Sequence, residues 1–298
     1  MECLDVVLLH IMQKNGKLIM KNIRRRLYRK FITIMTQPED SRHKVSNTKS
    51  VSKTLAILST FDETAPMQRT SDIAMKLDMN VSTVSRHLNT MLDWGFLERD
   101  DFTGFYYPGL EIVALAGAAL QNNDVFRHAF PELQRLSYKY DVHGHMGVPR
   151  KTEVAHLISS SSERTMELFI PMGHRQPMYC SAMGRALLAY MAPAKAEDIL
   201  KNSNLQKRTP DTLTDRWEIR QELIRTKQRG YCLLLNELTE GKGSIAAPVF
   251  DRHRNVIAAV SVSAGAHSIS QPQRERELAK AVMHVASKIS GKLGYYPK

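Results

Sequence analysis

The stretch TSDIAMKLDMNVSTVSRHLNTML, residues 70–92, contains two short amphipathic patterns separated by a turn. In the first pattern Ile73 and Leu77 share one helical face, and in the second pattern Val84 and Leu88 do. A pair of short helices joined by a tight turn is the layout of the helix-turn-helix, whose second helix enters the major groove of DNA. The stretch therefore predicts a DNA-binding motif.

The outward face of the second pattern carries side chains that suit a DNA groove. Small hydroxyl groups allow close approach to the DNA backbone, whereas arginine and asparagine hydrogen-bond the edges of guanine and adenine. We expect Arg86 and Asn89 to read bases. The complete predicted DNA-contacting set is Ser82, Thr83, Ser85, Arg86 and Asn89.

Elements of a winged module surround this motif. Thr70 and Ser71 are expected to cap the first of its two helices, and the apolar positions of residues 51–61 predict another helix before them. Residues 96–99 and 105–107 predict the two strands of a hairpin, which would be the wing. The segment therefore predicts a winged helix-turn-helix.

Local charge argues mildly against DNA binding. Between residues 49 and 110, six basic side chains are opposed by eight acidic ones, so the segment lacks the usual basic footprint of a DNA-binding protein. A helix pair followed by a hairpin can also be simply a small packed module. The pattern by itself leaves that alternative open.

The chain has 298 residues and a formal net charge of +12. This length allows two modest domains, and this charge favours a polyanionic partner. Much of the charge lies in the first 44 residues, which hold ten basic and four acidic side chains. Three interpretations of residues 1–34 compete: a DNA-contacting arm, a membrane-surface helix, and translated upstream sequence with Met35 as the true start. We favour the last of the three.

Cysteine usage and hydropathy indicate the compartment. Cys3, Cys180 and Cys232 are widely separated and odd in number, which indicates neither a disulfide framework nor a zinc cluster. The apolar run at residues 6–12 is too short to span a bilayer, and it precedes the basic residues, the reverse of a secretory signal. We therefore expect a cytoplasmic protein with no membrane partner.

The remainder of the chain mixes helices and strands. Residues 109–122 predict an apolar helix whose surface a dimer contact or an inter-domain connector would cover. Beyond Pro131 the pattern predicts a helix at 132–140, strands, and further helices at 182–191 and 217–228. This mixture predicts an α+β domain.

One strand of that domain carries two hydroxyl groups at its end. Period-two alternation in residues 255–263 places Ile257, Ala259, Ser261 and Ser263 on one face. Such a face suits a small-ligand cavity, whose walls exclude water while a few polar groups orient the ligand. The alternative is that both serines merely satisfy local backbone groups.

Four separated segments carry a family resemblance: NVSTVSR at 80–86, GHRQPMYCSAMGRALLA at 173–189, TPDTLT at 209–214 and AAPVFD at 246–251. In this order and spacing they resemble the IclR family of bacterial transcription regulators. The resemblance runs from about residue 50 to the C-terminus and excludes the basic N-terminal segment.

The resemblance implies a domain organisation and a set of partners. It implies an α+β chain with an N-terminal winged helix-turn-helix, a linker helix and a C-terminal GAF-like mixed α/β effector domain. The implied partners are double-stranded operator DNA, a small-molecule effector, a second copy in a homodimer or dimer of dimers, and RNA polymerase if the regulator activates. No cofactor is implied. The predicted boundaries are a basic, flexible extension at 1–48, the DNA-binding domain at 49–109, the linker and dimerisation helix at 110–124, and the effector-binding domain at 125–298.

Family members repress or activate genes of carbon-source breakdown, frequently with small carboxylates or aromatic acids as effectors. Free amides at the start of the helix near Met183 would form a carboxylate cradle. Leu234 stands where an acidic residue is frequent, and Ser244 replaces a frequent cysteine, so we expect a ligand bulkier or less polar than a two- or three-carbon acid. The effector residues implied by the resemblance are Leu168, Ala182, Met183, Leu234, Ser244, Ser261 and Ser263.

An enzyme with a GAF-like pocket is the alternative function. Its conceivable catalysts are Cys180 and four histidines, His143, His145, His156 and His174, but nothing in the sequence pairs the thiol with a particular imidazole. The two-residue spacing of His143 and His145 could suit a metal, yet no recognisable ligand set is completed. We predict no catalytic and no metal site, and a structural role for the histidines. A pure interaction module is a third possibility, and the paired strand serines weigh against it.

Overall fold

The computed structural model describes residues 48–162 and 170–296. The predicted extension, apart from Thr48, and the predicted effector residue Leu168 lie outside these residues. The described residues form two compact units that divide between Asn122 and Asn123.

The N-terminal unit is a three-helix bundle with a two-stranded hairpin and one further helix. The predicted winged helix-turn-helix is therefore confirmed, and each helix of the motif begins three residues before the first apolar position of its predicted face. Its elements are α1 (Lys49–Leu58), α2 (Thr70–Leu77), α3 (Val81–Asp93), β1 (Leu97–Arg99), β2 (Tyr106–Pro108) and α4 (Leu110–Gln121).

A small apolar core holds the first three helices and the hairpin together. Ile57, Ile73, Leu88 and Leu97 are almost fully buried in one cluster. The turn between α2 and α3 closes on Asp78, which adopts a left-handed backbone with φ of 50°, a conformation that aspartate tolerates better than most residues.

The predicted cap of α2 is wrong. The N-cap residue is Arg69, one position before Thr70. The carboxylate of Asp72 accepts a hydrogen bond from the Arg69 backbone N–H at 3.1 Å. The charged acceptor at the third helical position stabilises the helix start, because it satisfies an orphan donor and lies near the positive end of the helix dipole.

Helix α4 carries an uncovered apolar surface. None of its residues is buried, and Leu110, Val113 and Leu115 are 75%, 65% and 57% exposed. A single unit of this size rarely leaves large aliphatic side chains so exposed unless another surface covers them.

The C-terminal unit is built on one six-stranded sheet, and helices precede, interrupt and follow its strands, so the predicted α+β class is confirmed. Its elements are α5 (Asp124–Tyr140), β3 (His143–Arg150), β4 (Glu153–Ser160), β5 (Arg175–Pro177), α6 (Ala182–Tyr190), α7 (Pro193–Asn202), α8 (Arg216–Arg229), β6 (Cys232–Leu235), β7 (Lys242–Phe250), β8 (Val256–Gly265), α9 (Ala266–Ile269) and α10 (Pro272–Lys292). The strand order in the sheet is β5-β4-β3-β8-β7-β6, and every neighbouring pair is antiparallel.

Helices cover both faces of this sheet. The apolar sides of α5 and α10 pack on one face, through residues such as Leu133 and Val282 against Met146 and Val260. Helices α6, α7 and α8 pack on the opposite face, with Leu187 among the buried residues. The two apolar clusters lie on opposite sides of the sheet, and the second leaves space for a cavity.

Two details differ from the sequence predictions. Helix α5 begins at Asp124 and continues through Pro131, because its buried residues, including Ala129 and Leu133, pack on the sheet and offset the hydrogen bond that proline removes. Ile257 packs with the α5 and α10 side and not with the serines, since the β7–β8 register shifts between Val249 and Phe250 and strict alternation fails there.

Hydropathy and length exclude a bilayer-spanning segment among the helices of the described chain. None of them combines the length and the apolar character that such a segment needs.

Candidate functional site

Strand pairing brings histidines and serines from distant parts of the chain together on one sheet face. In the β3–β8 register, His143 lies opposite Ser263 and His145 opposite Ser261. In the β7–β8 register, Ser244 also lies opposite Ser263. The predicted placement of Ser261 and Ser263 on one strand face is thus present in the structure, and it faces the α6 side of the sheet.

A cavity of about 140 Å³ lies over this polar wall. Six of the seven predicted effector residues line it, and the seventh is Leu168. The remaining lining comes from β3, β4, β5, β7 and β8, from Ile170 before β5, and from the loop after β6. The lining residues are His143, His145, His156, Ile170, Gln176, Ala182, Met183, Leu234, Leu238, Thr239, Lys242, Ser244, Ser261, Ser263 and Ala264.

The start of α6 forms another wall of the cavity. Ser181 is the N-cap: its hydroxyl oxygen accepts a hydrogen bond from the Gly184 N–H at 3.3 Å, and its O–H donates to the Pro177 carbonyl at 2.7 Å. The preceding amides of Ala182 and Met183 belong to the first turn, where amides have no partner within the helix. These two amides are available to an anion in the cavity.

Close backbone packing explains why glycine stands at the third position of α6. A Cβ atom on Gly184 would lie 2.3 Å from the Met178 Cα and 2.4 Å from the Met178 carbonyl oxygen. Only glycine allows the helix start to approach the preceding segment this closely.

Burial keeps the imidazoles of His143 and His145 neutral. It lowers the pKa of His145 to about 3, and repulsion from His156, His143 and His174 acts in the same direction. Burial also lowers the pKa of His143, helped by the nearby Lys242 ammonium. The wall therefore offers neutral hydrogen-bonding groups and no positive charge from these two rings.

A buried ion pair joins α6 to the loop after β6, next to the cavity. Both guanidinium arms of Arg185 donate to the carboxylate of Glu237, at 2.6 and 2.5 Å, and its Nε donates to the Tyr179 carbonyl at 2.7 Å. The Leu213 N–H donates to the same carboxylate at 3.0 Å. No sequence pattern indicated that Arg185 and Glu237 would pair.

The catalytic alternatives find no support in the geometry. Cys180 is fully buried in the α6–α8 core and does not line the cavity, and burial raises the pKa of its thiol. A nucleophile needs the opposite shift. Over residues 48–162 and 170–296, no three His, Cys, Asp or Glu side chains are grouped so that they could hold a metal ion.

The sequence did not predict a cavity role for the three lining histidines, for Lys242, or for the further lining residues Ile170, Gln176, Leu238, Thr239 and Ala264. The predicted structural role of His143 and His145 overlooked that both line the cavity. Their two-residue spacing, which places both on one strand face, was the available signal. No sequence signal indicated Lys242. It lies at the start of β7, and its approach to His143 depends on the order of the strands in the sheet.

The predicted DNA-contacting residues occupy α3. Ser82, Arg86 and Asn89 are exposed, and Thr83 and Ser85 are half-buried. The helix is anchored from its inner side by Val84 and Leu88, which are fully buried.

A further contact ties α3 to α1. The hydroxyl of Thr54 and Nδ1 of His87 are 2.9 Å apart. The outer face of α3 is therefore presented by a helix that is held on two sides.

Known protein families match both units of the chain. The family described as IclR helix-turn-helix domain matches residues 50–101, and the family described as bacterial transcriptional regulator IclR C-terminal matches residues 117–291. A curated relative is the HTH-type transcriptional regulator BhcR from Paracoccus denitrificans. It is 31% identical over 74% of this chain and 78% of its own length.

Solved structures of transcriptional regulators share this fold. An IclR transcriptional regulator from Alicyclobacillus acidocaldarius has a TM-score of 0.76 at 25% identity and matches 84% of this chain and 100% of its own. An IclR homologue from Microbacterium hydrocarbonoxydans in complex with 4-hydroxybenzoate has a TM-score of 0.71 at 25% identity, with coverage of 82% and 98%.

Proposed function

Because the chain belongs to the IclR family of bacterial transcriptional regulators, we propose that it binds operator DNA through α3 and responds to a carboxylate metabolite in the sheet cavity. DNA binding and a small-molecule effector follow from the two matched domains. The observation that carries the finer proposal is the cavity, which brings six predicted effector residues together over one sheet face.

The anionic end of the effector has two candidate partners in the cavity. The amides of Ala182 and Met183 lie at the positive end of α6, and Lys242 supplies an ammonium group. The related Microbacterium protein binds a hydroxylated aromatic acid. A cavity of about 140 Å³ has room for a ligand of about one aromatic ring, since an engineered cavity of about 150 Å³ in another protein holds one benzene molecule. Leu234 contributes an apolar side chain to the wall of the cavity.

Removal of the strand hydroxyls is expected to abolish the effector response. A thermal-shift screen of small carboxylic acids first identifies the acid that raises the wild-type melting temperature most. In Ser261→Ala with Ser263→Ala, this acid should no longer change operator affinity, because the groups that orient it are gone. Operator affinity without the acid should stay at the wild-type value. Fluorescence anisotropy of a labelled operator, with and without the acid, measures both quantities.

Ser268→Ala with Ser287→Ala is the matched control, since both serines are exposed and lie away from the cavity. It should keep the full response. A normal response in the Ser261 and Ser263 variant would contradict the assignment of the two serines to the effector site.

Substitution of the proposed base-reading residues is expected to weaken operator recognition. Arg86→Ala or Asn89→Ala should reduce the preference for operator over random DNA by about 1–3 kcal/mol, because each residue supplies a base-edge contact. The fold should be unaffected, since both side chains are exposed. Competitive binding of operator and random duplexes measures the preference.

Arg276→Ala is the control for the arginine change, because Arg276 is exposed on α10 in the other unit. Equal weakening of operator and random DNA by Arg86→Ala would mean that Arg86 contacts phosphate, and base reading by this residue would then be rejected.

Self-association completes the proposal. The exposed apolar side chains of α4 suit burial against a second copy, so we assign residues 110–124 to a linker and dimerisation helix between the DNA-binding domain at 49–109 and the effector domain at 125–298. A two-fold dimer would read half-sites about 34 Å apart or multiples of this spacing. The same proposal includes the pairing of dimers and the control of catabolic genes. It also includes contact with RNA polymerase if the regulator is an activator.

A further inference from the structure

The cavity wall contains a hydrogen-bonded chain that runs from Ser159 through His145 to Ser263. Nδ1 of His145 lies 3.2 Å from the Ser159 hydroxyl oxygen, and Nε2 lies 3.0 Å from the Ser263 hydroxyl oxygen. The three residues come from adjacent strands, β4, β3 and β8, and the imidazole is buried between them. Both ring nitrogens are therefore committed to hydroxyl groups.

A neutral imidazole between two hydroxyl groups can adopt either of its two tautomers and hydrogen-bond both groups in each. When Nε2 carries the proton, it donates to Ser263, whose own O–H is then available to a ligand acceptor. When Nδ1 carries the proton, Nε2 accepts from Ser263, whose oxygen is then available to a ligand donor. Burial among other histidines keeps His145 neutral, since it lowers the pKa of this residue to about 3.

The rest of the wall sets the charge that a ligand can carry. Lys242 is the one lysine or arginine among the described residues that line the cavity, and no aspartate or glutamate of the described chain lines it. Ser261 is buried at the wall, and its hydroxyl makes no hydrogen bond to another described residue. A second carboxylate near His145 would lose water and gain only neutral partners, which is unfavourable. A neutral oxygen would find matching partners there.

We infer that His145, through Ser263, is a specificity-determining residue by which the cavity recognises an uncharged hydroxyl or oxo oxygen of its effector. This inference rests on the proposed function and names the ligand class: a small monocarboxylate that carries a hydroxyl or oxo group. Parent acids without that group, and dicarboxylates, bind less tightly. His145 acts as a positioning residue for the Ser263 hydroxyl.

Two sets of acids test the inference on the full-length protein by isothermal titration calorimetry. The first set is butyrate, 2-hydroxybutyrate, 2-oxobutyrate and succinate, and the second is benzoate, 4-hydroxybenzoate and terephthalate. In at least one set, the hydroxy or oxo acid is expected to bind about tenfold more tightly than the parent acid and the dicarboxylate, which is the cost of leaving a buried polar group unpaired.

His145→Phe removes both ring nitrogens but keeps a planar ring. It should reduce the ratio of the two affinities, hydroxy or oxo acid over parent acid, to about one. The affinity for the parent acid itself should stay within about threefold of the wild-type value. Ser263→Ala should do the same and serves where His145→Phe does not fold. A merely structural role of His145 would weaken all acids equally and leave the preference at tenfold. His284→Phe is the matched control, since His284 is exposed on α10.

The outcomes separate the inference from the function on which it rests. Binding of acids without a preference for the hydroxy or oxo member, or a preference that survives both variants, overturns the role of His145 and leaves a carboxylate sensor. Failure of every acid in both sets to bind overturns the carboxylate-sensing function as well.

Discussion

Glu237→Ala is expected to lower the free energy of unfolding of the C-terminal unit by about 3–5 kcal/mol, since it leaves the buried Arg185 guanidinium without its counter-charge. The Arg185 side chain is 0% exposed and the Glu237 side chain 11%, so the carboxylate and not bulk water neutralises the guanidinium. The change also removes the acceptor of the Leu213 N–H. Urea unfolding followed by far-ultraviolet circular dichroism measures the loss.

The control for this experiment is an ion pair of similar geometry at the surface. Arg220 donates to both carboxylate oxygens of Glu197, at 3.0 and 2.6 Å, and the two side chains are 47% and 44% exposed. Glu197→Ala should leave the unfolding transition unchanged, because water and salt already screen this pair.

A double variant separates the charge effect from the loss of packing. Arg185→Met with Glu237→Leu should be less destabilised than Glu237→Ala, because it leaves no buried charge unpaired. A Glu237→Ala protein as stable as the wild type would show that water reaches Arg185 and that the buried pair is not what holds α6 to the loop after β6.

Leu88→Ala is expected to lower the free energy of unfolding of the N-terminal unit by about 2–5 kcal/mol and to abolish operator binding. Leu88 is 0% exposed and packs with Ile57, Ile73 and Val84 beneath α3. The small core has few apolar residues with which to close the resulting space. Ligand binding by the C-terminal unit should persist, since that unit has its own apolar clusters.

Thermal unfolding, operator binding and effector binding of the same protein sample test this prediction. Met75→Ala is the control, because Met75 lies on α2 with 83% of its surface exposed and loses little contact on truncation. Loss of effector binding in Leu88→Ala would contradict the independence of the two units. Wild-type operator affinity would contradict the proposed position of α3 in the DNA groove.

The sequence predicted the N-terminal unit well because its elements are specified locally. The apolar spacing of Ile73, Leu77, Val84 and Leu88 indicated two helices, and the tight turn at Asp78 separated them. The cap at Arg69 was not predicted, since an arginine at that position carries no capping signal and the acceptor is the later Asp72.

The candidate effector site was predicted in part. The alternation of residues along β8 correctly placed Ser261 and Ser263 on one face of the strand. The family resemblance added the residues at the start of α6. The same period misplaced Ile257, because a register shift between neighbouring strands is not visible in the alternation of one strand.

By itself, the sequence determined which side chains share a helix face or a strand face, and it indicated an α+β chain with a DNA-reading module. Only the tertiary structure decided which strands lie side by side, and so joined Ser159, His145 and Ser263 into one hydrogen-bonded chain and Arg185 to Glu237. The physical reason is that side-chain periodicity arises from the local backbone, whereas strand order and loop position arise from packing between segments far apart in sequence.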